Sequence, residues 1–316
     1  MGYMVDGVYH VGDDVTQTLS SGAWERSRST VRHWIGQGDF PAEAGRYHLF
    51  VAWNCPWAHR ALLTRVVKGL TDAITVSYAR PNRTDQGWVY DADGEFSDPV
   101  LGARAVHEVY GADPMRYTGR LTVPVLWDKV QGRMVSNESA DIVRMLNDAF
   151  DGPDLAPPGL RGQIDDWNTL IYDKVNNGVY RAGFASTQDA YESAAEDVFD
   201  VLDQLDHHLA THRFLCGDAF TEADLRLFPT LARFDVAYHY AFRCNLRRLA
   251  DYAHLWPYAR DIYAMPGVVE TVRFDIYKKG YFSASEKRNP LGIIPIGPDI
   301  HWDPAPEREE LSQAGR

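Results

Sequence analysis

Cysteine is scarce in this chain. Three in 316 residues, Cys55, Cys216 and Cys244, are too few and too scattered for a disulfide framework or a zinc site. A reducing cytoplasm is the compartment this usage leads us to expect. Long apolar runs are also missing; none approaches the ~20 residues that span a bilayer. The stretch from Met1 to His10 has no basic segment and no apolar core, so no secretory signal is expected. Runs of Lys or Arg are absent, and the net charge is −12. That argues against nucleic acid or an anionic membrane as partner. An anionic small substrate must then be held by a few local donors. The 11 histidines form no ligand spacing, and His207-His208 reads as a solvated helix end, so no metal is expected. Internal repeats and low-complexity tracts are lacking.

What is present is a large apolar fraction, 45%, enough for a sizeable core, and a length that suggests two domains. Residues 1–44 show no sustained period but carry Trp24, Trp34 and Phe40, which suits an ordered extension. Residues 45–150 read β-α-β, a long insertion, then β-β-α. Tyr47 to Ala52 reads as a strand, Ala61 to Lys68 as a helix stopped by Gly69, and Ile74 to Tyr78 as a second strand, together a right-handed βαβ unit. The segment from Pro81 to Tyr117 reads as a long loop containing Trp88. Leu121 to Trp127 and Met134-Val135 read as a hairpin with Pro124 near its start, and Ser136 to Ser139 opens a helix. Residues 160–283 read all-helical, with Thr221 and Asp224 as a capping box. From Ala284 an extended surface tail is expected, over 284–316.

The chemistry centres on Asn54-Cys55-Pro56-Trp57-Ala58-His59-Arg60. Cys55 lies where a strand feeds a helix. Backbone N–H groups and the positive end of the helix dipole point there and favour a thiolate. Pro56 suits the first helical turn, where its missing N–H has no intrahelical partner. This is a thioredoxin-type motif with Ala58 where a second cysteine would stand. A lone thiolate cannot close its own disulfide and needs an external thiol. The other reading of Cys55, a buried structural cysteine, stays open at this point.

The strings Asn54 to Arg60, Thr122-Val123-Pro124-Val125-Leu126-Trp127-Asp128, Ser136 to Ala140, Asn176 to Ala185 and Arg233-Phe234-Asp235 occur in order. Together, from about Trp34 to Pro298, they resemble the glutathionyl-hydroquinone reductases, the Xi class of glutathione transferases. The resemblance implies an α/β thioredoxin-like N-terminal domain (45–150) that binds glutathione, plus an all-α C-terminal domain (160–283) with an aromatic subsite. It implies Cys55 as nucleophile, Trp88 covering glutathione, and Arg120, Leu121, Thr122 and Val123 lining its cysteinyl and glycyl parts. Leu121 departs from the tyrosine or valine frequent in the family. Glu138 and Ser139 are implied at the γ-glutamyl end, Tyr180 as proton donor and acceptor, and Tyr238 and Tyr281 beside the thiolate. It further implies a cis Val123-Pro124 bond that offers backbone groups to an extended peptide. Ser139 and Glu138 suit a carboxylate and an amine, although Ser139 at a helix start can also simply cap it. Among 17 tyrosines nothing but the resemblance singles out these three.

The activity implied is glutathione-dependent reduction of glutathionyl-hydroquinones through a Cys55–glutathione mixed disulfide. Glutathione is the co-substrate, no metal takes part, and a homodimer through the helical domain is expected. Two other readings remain: an omega-like thioltransferase or dehydroascorbate reductase, and a non-catalytic ligand-binding protein on the same fold.

Overall fold

A computed structural model describes residues 2–12, 17–286 and 288–312. The expectations for the extension and the tail fall partly outside these residues. The chain forms two compact units, Met1–Thr16 with Ser27–Pro153, and Gln17–Arg26 with Asp154–Arg316. Strands β1 (Tyr3–Val5) and β2 (Val8–His10) belong to the first, and β3 (Gln17–Thr18) and β4 (Trp24–Glu25) to the second.

The first unit is built around β5 (Tyr47–Ala52), which is buried along its whole length. Such a strand needs cover on both faces, and its unbroken apolar character fits that place. It leads to α1 (Pro56–Val67), ended by Gly69 at φ +69°, and then to β6 (Ile74–Ala79). After the insertion come α2 (Val106–Ala112), β7 (Gly119–Arg120), β8 (Val125–Asp128), β9 (Arg133–Ser136) and α3 (Ser139–Ala149). The main sheet has the order β6-β5-β8-β9, with β5 and β6 parallel and the other pairs antiparallel. β7 pairs instead with β1, so the N-terminal hairpin becomes a second, three-stranded sheet.

Two readings of this region need correction. The strand expected from Leu121 begins only at Val125, after the cis Val123-Pro124 bond. The segment from Pro81 to Tyr117 is not simply a loop. The Asp98 carboxylate accepts from the N–H groups of Val100 (2.9 Å), Leu101 (3.2 Å) and Ala103 (3.0 Å) and folds it back. Two turns of helix, α2, then bury Tyr110, whose hydroxyl donates to Thr122 O at 2.9 Å and accepts from Asn137 Nδ2 at 3.2 Å. Seven helical residues are too few for a visible period.

The second unit contains α4 (Arg161–Leu170), a π turn (Ile171–Asn176), α5 (Gly178–Phe184), α6 (Gln188–Leu209), α7 (Glu222–Arg233), a second π turn (Phe234–Tyr238), α8 (His239–Ala241), α9 (Leu255–Tyr263) and α10 (Phe274–Tyr281). Asp224 Oδ2 accepts from Thr221 N at 2.8 Å, the reciprocal half of the expected capping box. The C-terminal segment is not wholly extended. A 3-10 turn, Pro306–Ser312, drives Arg308 into the interior. Its guanidinium donates to the carbonyls of Leu209 (3.2 Å), His212 (2.8 Å) and Arg213 (2.6 Å). Carbonyls at the end of α6 have no intrahelical donors, and a cation is the group the helix dipole favours there. His208 is half-buried, stacked on His212 and set 3.1 Å from Leu215 O, so this helix end is packed rather than fully solvated.

His48, inside β5, ties the two parallel strands together: Nδ1 lies 2.6 Å from Thr75 Oγ1 and Nε2 lies 2.9 Å from Ser77 Oγ. Burial, with Lys129 and Arg65 adding to it, pushes its pKa from 6.5 down to about 3. Between those values the unfolded chain binds a proton that the folded one does not. The stabilisation is therefore complete above pH 6.5 and is lost as pH falls toward 3. We expect the unfolding free energy to drop by about 1.4 kcal/mol per pH unit in that window. His48→Gln should flatten the slope, as read by urea denaturation across pH; an unchanged slope would place the titration elsewhere.

Candidate active site

In the first unit Cys55 is the residue before α1, with φ −85° and ψ 116° and Pro56 at the first helical position. It is half-buried, and its Sγ donates to Val123 O at 3.3 Å. The register explains this meeting. Phe50 pairs with Val125 across the antiparallel β5–β8 ladder, so Val123 falls level with the end of β5, where the chain turns into Cys55. The position of the second cysteine in a thioredoxin motif is taken by Ala58, which is fully buried.

Thr122 lies beside Val123, with its N–H donating to Tyr110 Oη at 3.3 Å. Arg120, in β7, is half-buried; its Nη1 donates to Ser27 Oγ at 3.4 Å, and its carbonyl accepts from Tyr117 Oη at 2.9 Å. Trp88 is buried, with the Arg83 guanidinium 4.0 Å over its ring. It shares a small cleft with Leu121, Gln86, Val106 and His107, so two of the sequence candidates meet there.

At the start of α3 the capping role falls to Glu138 rather than Ser139. Glu138 Oε1 accepts from Ala140 N at 3.1 Å, while Ser139 is the first helical residue and is buried. A helix start with a carboxylate beside it can meet both signs of a zwitterion: N–H groups face an anion, and the second carboxylate oxygen can accept from an ammonium.

In the second unit the three tyrosines form one chain of hydroxyls. Tyr180 Oη lies 2.8 Å from Tyr281 Oη, which lies 3.0 Å from Tyr238 Oη. Burial, reinforced by the neighbouring phenols, holds Tyr238 and Tyr281 well above the ordinary phenol pKa, with Arg233 opposing. Both are therefore neutral at pH 7 and available as donors. Arg233 is fully buried, 3.8 Å over the Tyr277 ring, and donates to Pro229 O at 2.8 Å. A π turn precedes Tyr180 and another ends at Tyr238; such turns re-aim side chains and recur at functional sites. Trp24 and Phe184 stack on Tyr180 with centroids 6.0 and 6.1 Å away, and Phe242 meets it edge to face at 5.3 Å. Gly183 permits this, since a Cβ there would collide with the Phe242 ring.

Sequence reasoning did not assign Arg233, Trp24, Phe184 or Phe242 to the site. Arg233 and Phe184 lie inside two of the strings that carry the resemblance, and that was the available signal. Phe242 gave none, because the π turns break the 3.6-residue phase by which a shared face is recognised, and Trp24 lies in a segment without a period.

The other cysteines are poor candidates for the same chemistry. Cys244 is fully buried, and its thiol is pushed up to about 12. Burial also raises Cys216. Among the described residues no group of three or more His, Cys, Asp or Glu is placed to hold a metal, and no helix is long and apolar enough to cross a membrane.

Comparison with known proteins completes the picture. Residues 54–149 match the model of the glutathione S-transferase N-terminal domain, and residues 188–261 that of the C-terminal domain. The chain is 46% identical to glutathionyl-hydroquinone reductase YqjG of Escherichia coli, over 94% of this chain and 95% of that one. It is 44% identical to glutathionyl-hydroquinone reductase PcpF of Sphingobium chlorophenolicum, over 94% and 96%. The glutathione-bound structure of E. coli YqjG superposes with a TM-score of 0.85 at 44% identity, covering 88% of this chain and 96% of that one.

Selective alkylation checks the place given to Cys55. Iodoacetamide at pH 7 should label it about tenfold faster or more than Cys216 or Cys244, by peptide mass spectrometry. Equal rates at the three thiols would remove Cys55 from candidacy.

Proposed function

This chain belongs to the glutathione transferases, among the glutathionyl-hydroquinone reductases, and on that premise we propose that it reduces glutathionyl-hydroquinones with glutathione through a Cys55–glutathione mixed disulfide. The observation that carries the reading is a half-buried cysteine at the head of a Pro-started helix, its sulfur on the Val123 carbonyl, with Ala58 where an internal resolving thiol would stand.

The Cys55 thiolate attacks the sulfur of the glutathionyl group. A sulfur–sulfur bond forms and the carbon–sulfur bond to the ring breaks. Its electron pair stays on the ring carbon, which takes up a proton. A second glutathione, as thiolate, attacks the mixed disulfide, releasing oxidised glutathione and the Cys55 thiolate. Two sulfurs, the thioether of the conjugate and the thiol of the second glutathione, are each oxidised by one electron and one aromatic carbon is reduced by two, so the electrons balance. For the proton we assign Tyr180, whose hydrogen-bonded partner Tyr281 can pass charge on to Tyr238. Glutathione is assigned to the 45–150 region: Val123 pairing with its backbone, Glu138 and Ser139 at the γ-glutamyl end, Trp88 as cover, and Arg120, Leu121 and Thr122 beside it. The aromatic ring is assigned to the 160–283 region, and a homodimer through that region in a reducing cytoplasm completes the proposal.

The intermediate is open to direct test. Enzyme mixed with one equivalent of glutathionyl-hydroquinone and no free glutathione should release one hydroquinone and stop. Intact mass should show one glutathione attached through Cys55, removable by added glutathione. Cys55→Ala should release none. Full turnover by that variant, or a Cys55–Cys244 disulfide with glutathione set free, would end the monothiol reading.

Tyr180→Phe probes the proton step. It should slow hydroquinone release on the order of 10²-fold, while reduction of a simple glutathione mixed disulfide, whose leaving thiolate needs less help, changes little. Equal losses on both substrates would make Tyr180 structural and favour an omega-like thioltransferase.

A further inference from the structure

The protein carries a net charge of −12, so attraction of an anion must be local. One such place lies in the helical unit. Arg288 Cζ stands 4.7 Å from the centroid of Phe184 and 5.9 Å from that of Phe242. Arg26 Cζ stands 5.1 Å from the centroids of both Trp24 and Tyr180, its Nε donating to the amide oxygen of Asn177 at 2.9 Å. Two guanidinium groups thus flank one aromatic cluster.

Their settings differ. Arg26 is anchored by Asn177, whereas Arg288 has no carboxylate partner among the described residues. The Arg288 residue is exposed, yet its charge lies against aromatic rings, and that desolvation pushes its pKa down. Tyr180 and Tyr281 act on it with the opposite sign, and Arg243 repels it. A cation set against rings, with a second cation nearby and no carboxylate, is a group whose own balance would improve with an anion between it and Tyr180. Packing on Phe184 accounts for where Arg288 sits; it does not account for placing an unpaired charge there.

We propose that Arg288 determines specificity within the aromatic subsite, selecting rings that bear an anionic substituent, such as a carboxylate ortho to a phenol, over neutral rings. This rests on the reading of the helical unit as the aromatic subsite and deepens it. The ring packs against the half-buried Tyr180 and Phe184 while its anion pairs with the guanidinium, bidentately where geometry allows. No bond is made or broken by Arg288. It acts on affinity and on kcat/KM.

The test uses free rings first, because the glutathionyl group is itself anionic. Binding of 2,5-dihydroxybenzoate and of hydroquinone to the full chain is measured by tryptophan fluorescence quenching, without glutathione. The wild type should prefer the carboxylated ring by about tenfold, the scale of one charge-assisted contact. Arg288→Gln should bring the ratio near one, and Arg288→Lys should restore part of it. Raising salt to 1 M, where the Debye length falls to about 3 Å, should shrink the wild-type ratio. A wild-type ratio of one, or a ratio unmoved by Arg288→Gln, would overturn the proposal. Turnover of the two glutathionyl conjugates forms the second arm. If the binding preference appears and depends on Arg288 while neither conjugate releases its quinol, the inference stands and the reductase reading falls. If both conjugates turn over and neither ratio depends on Arg288, the reductase reading stands and the inference falls.

Discussion

The register between β5 and β8 is the constraint on which the nucleophile's place depends. β5 is buried throughout, so neither strand can slip by one residue without turning core side chains to the opposite face. With Phe50 fixed opposite Val125, the carbonyl of Val123 must fall at the end of β5, where α1 begins. Cys55 meets it at 3.3 Å. The thiol therefore gains its partner from sheet geometry, and no residue of its own helix supplies one: the Cys55 side chain makes no cap bond to α1.

Polar groups around that point are held by a small number of shared atoms. The Tyr110 hydroxyl, buried on α2, serves both Thr122 and Asn137, which links the insertion to the segment before Val123 and to the start of α3. Glu138 spends one oxygen on Ala140 N, leaving the other to face outward demand. A buried polar atom left without a partner costs roughly 1–3 kcal/mol, so this sharing is itself a constraint on the conformation. The insertion that reads as a loop is consequently part of the support for the candidate site.

In the helical unit the corresponding constraint is a chain of phenols above a buried arginine. Tyr180, Tyr281 and Tyr238 are linked oxygen to oxygen, and Arg233 limits how far burial can raise them. Neutral phenols in such a chain each donate to one neighbour while accepting from another, so a proton can be handed along the three oxygens over a distance that one hydroxyl does not span. Arg288, 5.9 Å from the Phe242 centroid, is an exposed residue with its charge laid over rings, acted on by Tyr180 and Tyr281 and without a carboxylate partner among the described residues.

Much of this was legible in the order of residues. The run Tyr47 to Ala52, the Cys55-Pro56 helix start, Gly69 as a stop and the Thr221–Asp224 box each depend on local chemistry: burial of a continuous apolar strand, a missing N–H, a positive φ, a side chain reaching three residues along. So was the family, because five strings in order carry more information than any one of them. Other features were closed to reading. Arg308 lies about a hundred residues from Leu209, and only tertiary packing brings its guanidinium to that helix end. The α2 helix is shorter than the window in which a period can be seen. The π turns at Ile171–Asn176 and Phe234–Tyr238 shift the phase of every residue after them, so Tyr180, Tyr238, Phe184 and Phe242 cannot be placed on a common face by counting. Local propensity and pattern determined which elements form and where the reactive thiol sits in the chain. The partners of that thiol, of the phenols and of the buried arginines were decided by the tertiary structure, because hydrogen bonds and charges act over ångströms in space and take no account of separation along the sequence.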